Sequence, residues 1–146
     1  MKTMKRLLAA IAVVCAGPAF AQMTPVGVWQ SIDDKTSEAK SQIRISESGG
    51  VLSGRIEKLL RKEARQDAVC DECTDDRKGR PLVGLEIIRG AKKAEGKEVW
   101  EDGKILDPES GRSYTLRLTP IEGGKKLEVR GSVLGIGRTQ TWVRVQ

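Results

Sequence analysis

The sequence contains no histidine, which removes the commonest general base at neutral pH and the commonest metal-ligating imidazole. Serine-hydrolase triads and His-bearing metal centres are thereby excluded. Aromatics are scarce as well, with three Trp, one Tyr and one Phe. Charges of both signs are interspersed, so the stacking surface and one-sided basic patch of a nucleic-acid binder are missing. Beyond residue 21 no apolar run approaches the ~20 residues needed to cross a bilayer as a helix. There is no internal repeat, no low-complexity linker and no βαβ pattern.

What is present begins with an export signal. Lys2, Lys5 and Arg6 form a positive n-region, Leu7 to Val14 is continuously apolar, and Ala19-Phe20-Ala21 is a small-residue cleavage box. This pattern predicts cleavage after Ala21, leaving one periplasmic domain over residues 22–146. Pro18 interrupts the apolar run, which is too short to be a membrane anchor. Val14, before Cys15, stands where a lipoprotein site needs a small residue. Because Lys2, Lys5 and Arg6 leave and no acid does, the net charge falls from +6 to +3.

The rest reads as strands and turns. Val26 to Asp33, Ser41 to Glu47 and Val51 to Leu60 alternate with period two, and Ser48-Gly49-Gly50 is a hairpin turn. Residues 61–80 differ: 61–67 has the composition for two turns of helix, and a charged loop follows around Cys70-Asp71-Glu72-Cys73. A connection this long is often functional. Strand pattern resumes at Pro81 to Arg89, Glu98 to Trp100, Gly103 to Leu106, Arg112 to Thr119 and Lys125 to Val133. In the last stretch, Thr139, Thr141, Val143 and Val145 occupy one face, and Arg138, Gln140, Trp142 and Arg144 the other. Eight or nine short strands with hairpin connections predict an all-β, antiparallel up-and-down barrel, with a sandwich as the alternative. Closure would put the last strand beside Gly27-Val28-Trp29 and remove both sheet edges.

Gly27-Val28-Trp29 is similar to the Gly-x-Trp of lipocalin and calycin barrels, in which the Trp packs at the closed end under an Arg of the last strand. Arg138 or Arg144 could supply that cation. Over most of its length the chain resembles a family of small exported bacterial proteins, domain of unknown function 2147. The matching pieces are Gly27-Val28-Trp29, Asp33-Asp34-Lys35, Cys70-x-x-Cys73, Pro81-Leu82-Val83-Gly84, Gly103 to Pro108 with Gly111 and Tyr114, Val129-Arg130-Gly131, and Arg138 to Trp142 with Arg144. Ser37 departs from the pattern, where Gly is expected. The resemblance implies a lipocalin-like barrel and carries over no catalytic or binding residue.

Cys70 and Cys73 are the only cysteines left after the signal, and an even pair in an oxidising compartment points first to a disulfide. A redox pair is the sharper alternative, but Asp71, Glu72, Asp75 and Asp76 would raise the thiol pKa and slow attack. Zinc needs four ligands, which this pair alone does not supply. Glu101, Asp102, Asp107 and Glu109 fall within nine residues, yet acids beside Gly and Pro are ordinary turn chemistry.

The expected inward residues are Ile43, Ile45, Leu52, Ile56, Leu85, Ile87, Tyr114, Leu116, Leu118, Leu127 and Val129. With Gly54, Gly84 and Gly131 among them, they leave room for a modest apolar cavity. The candidate ligand-binding set is Tyr114, Arg138, Trp142, Leu116 and Ile43, in which Arg138 would meet an anionic group and Tyr114 offer a hydroxyl. The candidate closure set is Gly27, Trp29, Arg138, Trp142 and Arg144. The reading is a non-enzymatic, lipocalin-like carrier of a small hydrophobic or amphipathic ligand, with no cofactor, no metal and no nucleic-acid partner. The alternative is an envelope interaction module with a solid core that meets its partner protein through the 61–80 loop.

Overall fold

Alternating apolar and polar residues build eight antiparallel strands, β1 Gly27–Ile32, β2 Ala39–Ser48, β3 Val51–Leu59, β4 Glu86–Lys93, β5 Trp100–Asp107, β6 Arg112–Ile121, β7 Lys126–Val133 and β8 Ile136–Arg144. The computed structural model describes residues 23–145, so the expected signal peptide and its cleavage site lie outside the described residues. Each strand pairs with the next, and β8 pairs with β1, which closes the barrel. Among the described residues the only helical element is a single 3₁₀ turn, Glu122–Gly124.

The up-and-down order sorts the connections into two ends. The β2–β3 turn at Gly49-Gly50, the β4–β5 and β6–β7 turns and the segment before β1 form one end. The other three connections, with the long β3–β4 loop, surround the opposite end. The seam is thin: β1 and β8 register only through Trp29↔Arg144 and Gln30↔Val143. By comparison, β7 and β8 register from Lys126↔Val143 to Val133↔Ile136.

Inward side chains of all eight strands make one core that includes Trp29, Ile43, Ile45, Leu52, Ile56, Ile88, Leu116, Leu118, Leu127 and Trp142. Gly54 is placed for packing, because a Cβ there would stand 3.0 Å from the Cβ of Ile88. The β3–β4 register shifts beside it, the bulge that lets a barrel wall bend.

Three details depart from the sequence reading. The expected segments Glu98–Trp100 and Gly103–Leu106 give one strand, β5, and not two, with Glu98 and Val99 lying before its start at Trp100. Asp102 takes a φ of 64° and the β5–β6 register shifts there, so a bulge breaks the alternation without ending the strand. The strand expected at Pro81 starts only at Glu86, because Pro81 to Leu85 belong to the loop, where Gly84 N–H bonds Ile56 O at 2.7 Å. Residues 61–67 form isolated turns in place of a helix. The Gln66 side chain takes both backbone groups of Leu59, and nearly all of 61–67 is polar, leaving no stripe to bury.

The loop itself is tightly held. Cys70 and Cys73 form a disulfide and are buried in the core cluster. Next to them Gly111, at φ 72°, leaves no room for a Cβ, which would fall 1.8 Å from Glu72 O. Buried Arg77 grips Asp75 and donates to Glu86 O at 2.8 Å. Arg89 meets Asp76 at 2.9 Å and Glu86 at 2.6 Å. These bonds fasten residues 70–80 to the start of β4.

Candidate functional site

At the closed end, Trp29 is fully buried and its indole N–H bonds Pro25 O at 2.7 Å. The guanidinium of Arg144 lies 4.1 Å from the Trp29 ring centroid. It also donates to Val26 O at 2.9 Å, Thr24 O at 2.5 Å and Gly124 O at 2.5 Å. Burial lowers the pKa of this side chain from its ordinary value. Arg144 thus ties the last strand to the segment before β1 and to the β6–β7 turn. Arg138 takes no part in this closure. Six residues of extended chain span about 20 Å, so Arg138 stands at the opposite end, where it pairs with Asp34 at 2.5 Å.

That opposite end holds a cavity of about 580 Å³, within the range of small-molecule sites. Its wall includes Ile87, Ile105, Leu106, Val129 and Trp142, with Tyr114 and Gln140 as polar groups and Lys35, Lys40, Arg138, Asp33, Asp107 and Glu109 nearer the rim. Trp142 is buried one layer above Trp29, and its indole N–H reaches Gln140 Oε1 at 3.4 Å. Tyr114 packs over Gly131, where a Cβ would come within 3.2 Å of the Tyr114 Cβ.

Of the five candidate ligand residues, Tyr114, Arg138 and Trp142 line this cavity, and Ile43 and Leu116 do not. Ile43 pairs across from Trp29 in the floor of the barrel. Leu116, between Gly103 and Gly131 in the register, is buried out of the cavity's reach. Side-chain parity was readable for both, but depth along the barrel axis was not. Gln140 and Lys35 are wall residues that the candidate set missed. The inward parity of Gln140 with Trp142 was the available signal.

The rim is electrostatically mixed. Arg61 bridges Asp33 at 2.5 Å and Glu109 at 3.0 Å, and Lys40 meets Glu109 at 3.5 Å. Backbone N–H groups of Thr36 and Lys35, helped by Arg61, hold the Asp33 carboxyl down at about 2. A carboxylate of such low basicity is a poor proton acceptor. Lys35 lines the mouth without an ion pair among the described residues. The acidic group at 101–109 does not converge on one site. Glu101 pairs with Arg117 on the outer wall, while Asp107 accepts from Glu109 N–H and Ser110 Oγ in its own turn. Arg44 pairs with Glu57, also on the outer wall.

A closed eight-stranded antiparallel barrel with a Trp–Arg lock at one end and a cavity at the other is the architecture of the lipocalin-like proteins. The solved structure reported as "Protein HP1028 from the human pathogen Helicobacter pylori belongs to the lipocalin family" matches it with a TM-score of 0.70. The two sequences are 18% identical, over 83% of this chain and 82% of that one, a likeness of fold. Residues 27–144 match the model of the family described as "Uncharacterized protein conserved in bacteria (DUF2147)", and the chain belongs to that family. No curated protein matches the chain.

Proposed function

We propose that the protein is a periplasmic, non-enzymatic carrier of a small hydrophobic or amphipathic molecule, bound in the cavity with its apolar body among Ile87, Ile105, Val129 and Trp142. Tyr114 and Gln140 would take hydrogen bonds partway up, and Lys35 and Arg138 a polar or anionic head at the rim. The observation that carries this reading is the cavity of about 580 Å³, apolar in depth and polar at its mouth. An interaction module of the other kind requires a solid core and a loop free to meet a partner. Here the barrel holds a cavity, and the 61–80 loop is anchored to it by buried Cys70, Cys73 and Arg77. The exported location rests on residues 1–21 and fits a buried disulfide, which persists in oxidising compartments.

Native mass spectrometry of protein purified from its own cells, followed by organic extraction, should reveal a co-purifying small molecule. A fluorescent hydrophobic probe should bind the emptied protein, and Val129→Phe, which fills part of the cavity, should weaken it by about tenfold, a loss of ~1.4 kcal/mol. A protein that carries nothing and binds no such probe is not a carrier. The same conclusion follows if Val129→Phe binds the probe as wild type does while keeping the wild-type melting temperature.

A further inference from the structure

The hairpin joining β7 to β8 exposes more apolar surface than a turn needs. Leu134 is 97% exposed and Ile136 83%, with Val133 beside them at 52%. Leu134 also holds a φ of 51°, a left-handed conformation that suits Asn or Gly and is costly for a bulky side chain. A leucine that is strained and fully in water has no role in the folded domain itself. Ile136 is also part of the cavity wall, so this knob stands at the mouth.

Cations lie beside the knob. The strands that form and flank it bring Arg112, Arg130 and Arg138 to this end, with Asp107 across from Arg112 in the register and Asp34 paired to Arg138. Register carries Arg112 to the level of the tip, through Thr115↔Ser132, and places Arg130 and Arg138 within a few residues below it. Among the described residues Arg112 makes no ion pair, and Arg130 reaches only the Thr139 hydroxyl at 3.5 Å.

We propose that the β7–β8 tip is a membrane-docking element. Val133, Leu134 and Ile136 enter the interface of an anionic bilayer, Arg112 and Arg130 lie among its headgroups, and the cavity mouth is thereby set against lipid. A convex apolar tip backed by cations suits that surface. Three side chains do not supply the ~800 Å² per partner of a stable protein interface. The proposal stands apart from the carrier reading, because docking requires no ligand in the cavity.

Co-sedimentation of the purified protein with phosphatidylcholine vesicles, with and without phosphatidylglycerol, tests it. Wild type should prefer the anionic vesicles by at least tenfold, since each basic group near such a surface contributes about fivefold. Leu134→Asn, whose new residue accepts the left-handed turn, combined with Ile136→Thr, should lower vesicle binding at least tenfold and leave the melting temperature unchanged or higher. Arg112→Gln with Arg130→Gln should abolish the preference for anionic lipid, and Val129→Phe should dock as wild type does. Wild type that ignores anionic vesicles, or a tip variant that binds them undiminished, overturns the proposal. So does a dimer in native mass spectrometry that Leu134→Asn dissociates, which would assign the tip to a second copy of the chain.

Discussion

Replacing Arg144 with Met keeps the length of the side chain and removes its charge and its donors. The guanidinium lies 4.1 Å from the Trp29 centroid, and a cation–π contact at a partly buried site is worth about 1 kcal/mol. The same group serves the carbonyls of Thr24, Val26 and Gly124, and hydrogen bonds involving a charged group contribute roughly 1.5–3 kcal/mol each before allowance for shared geometry. Because the three bonds leave one side chain, they do not add fully, and a total loss of ~3–5 kcal/mol is expected. That is a large share of the 5–15 kcal/mol typical of a whole domain. At about 4 °C per kcal/mol for a domain of this size, the melting temperature should fall by roughly 12–20 °C.

Thermal denaturation followed by circular dichroism reads this directly, and two companions make the result specific. Arg144→Lys retains a cation but not the fork, so it should melt between the other two proteins. Arg138→Met removes an ion pair whose Arg side chain is 65% exposed, a class of contact worth about 0–1 kcal/mol. It should melt within about 4 °C of wild type while weakening an anionic probe at the rim. If Arg144→Met melts like wild type, or Arg138→Met costs as much as Arg144→Met, the assignment of the lock to the Trp29 end is wrong.

Ser37 sits in the β1–β2 turn at φ 59°, and relief of the left-handed penalty by Ser37→Gly should stabilise by about 1 kcal/mol, raising the melting temperature by ~4 °C. No rise would mean that turn hydrogen bonds already offset the strain. The clamp that fastens the 70–80 loop is acid-sensitive. Arg77, through its side chain and its backbone N–H, holds the Asp75 carboxyl at about 2 against an ordinary 3.8, and Arg89 lowers Asp76. A depressed carboxyl stabilises fully above its unfolded pKa and loses that contribution as pH falls. Protection of the 70–80 amides from hydrogen exchange should therefore be constant above pH 4 and drop between pH 4 and 2, ahead of the strands. Loop protection that falls only together with the strands would show that the carboxylates are not what fastens it.

Much of the barrel was legible because period-two alternation reports local facts. Ile43, Ile45, Leu52, Ile56, Leu116, Leu118, Leu127 and Val129 face inward as their alternation requires. What was not legible came from contacts distant in sequence. The break at Asp102 imitated a strand end, since a bulge and a turn both interrupt alternation. The packing of Cys70 and Cys73 against the turn at Gly111 depends on register across strands. The departure of Ser37 from the family pattern was visible, and its physical content appeared only with the left-handed φ.

The last strand shows most clearly where sequence reasoning stops. Arg138, Gln140, Trp142 and Arg144 share one face of β8, and they look like one motif because they share parity. Parity says which way a side chain points and nothing about its height in the barrel. At 3.3 Å per residue the four are spread over about 20 Å, from the rim to the floor. Arg144 meets Trp29, which makes it part of closure. Arg138 meets Asp34 beside an open mouth, which leaves it available to whatever enters. Gln140 and Trp142 lie between them as cavity wall. One chemically uniform run is thus divided by axial position into lock, wall and rim. The two arginines that are interchangeable in the sequence should consequently separate in experiment, one in melting temperature and the other in affinity.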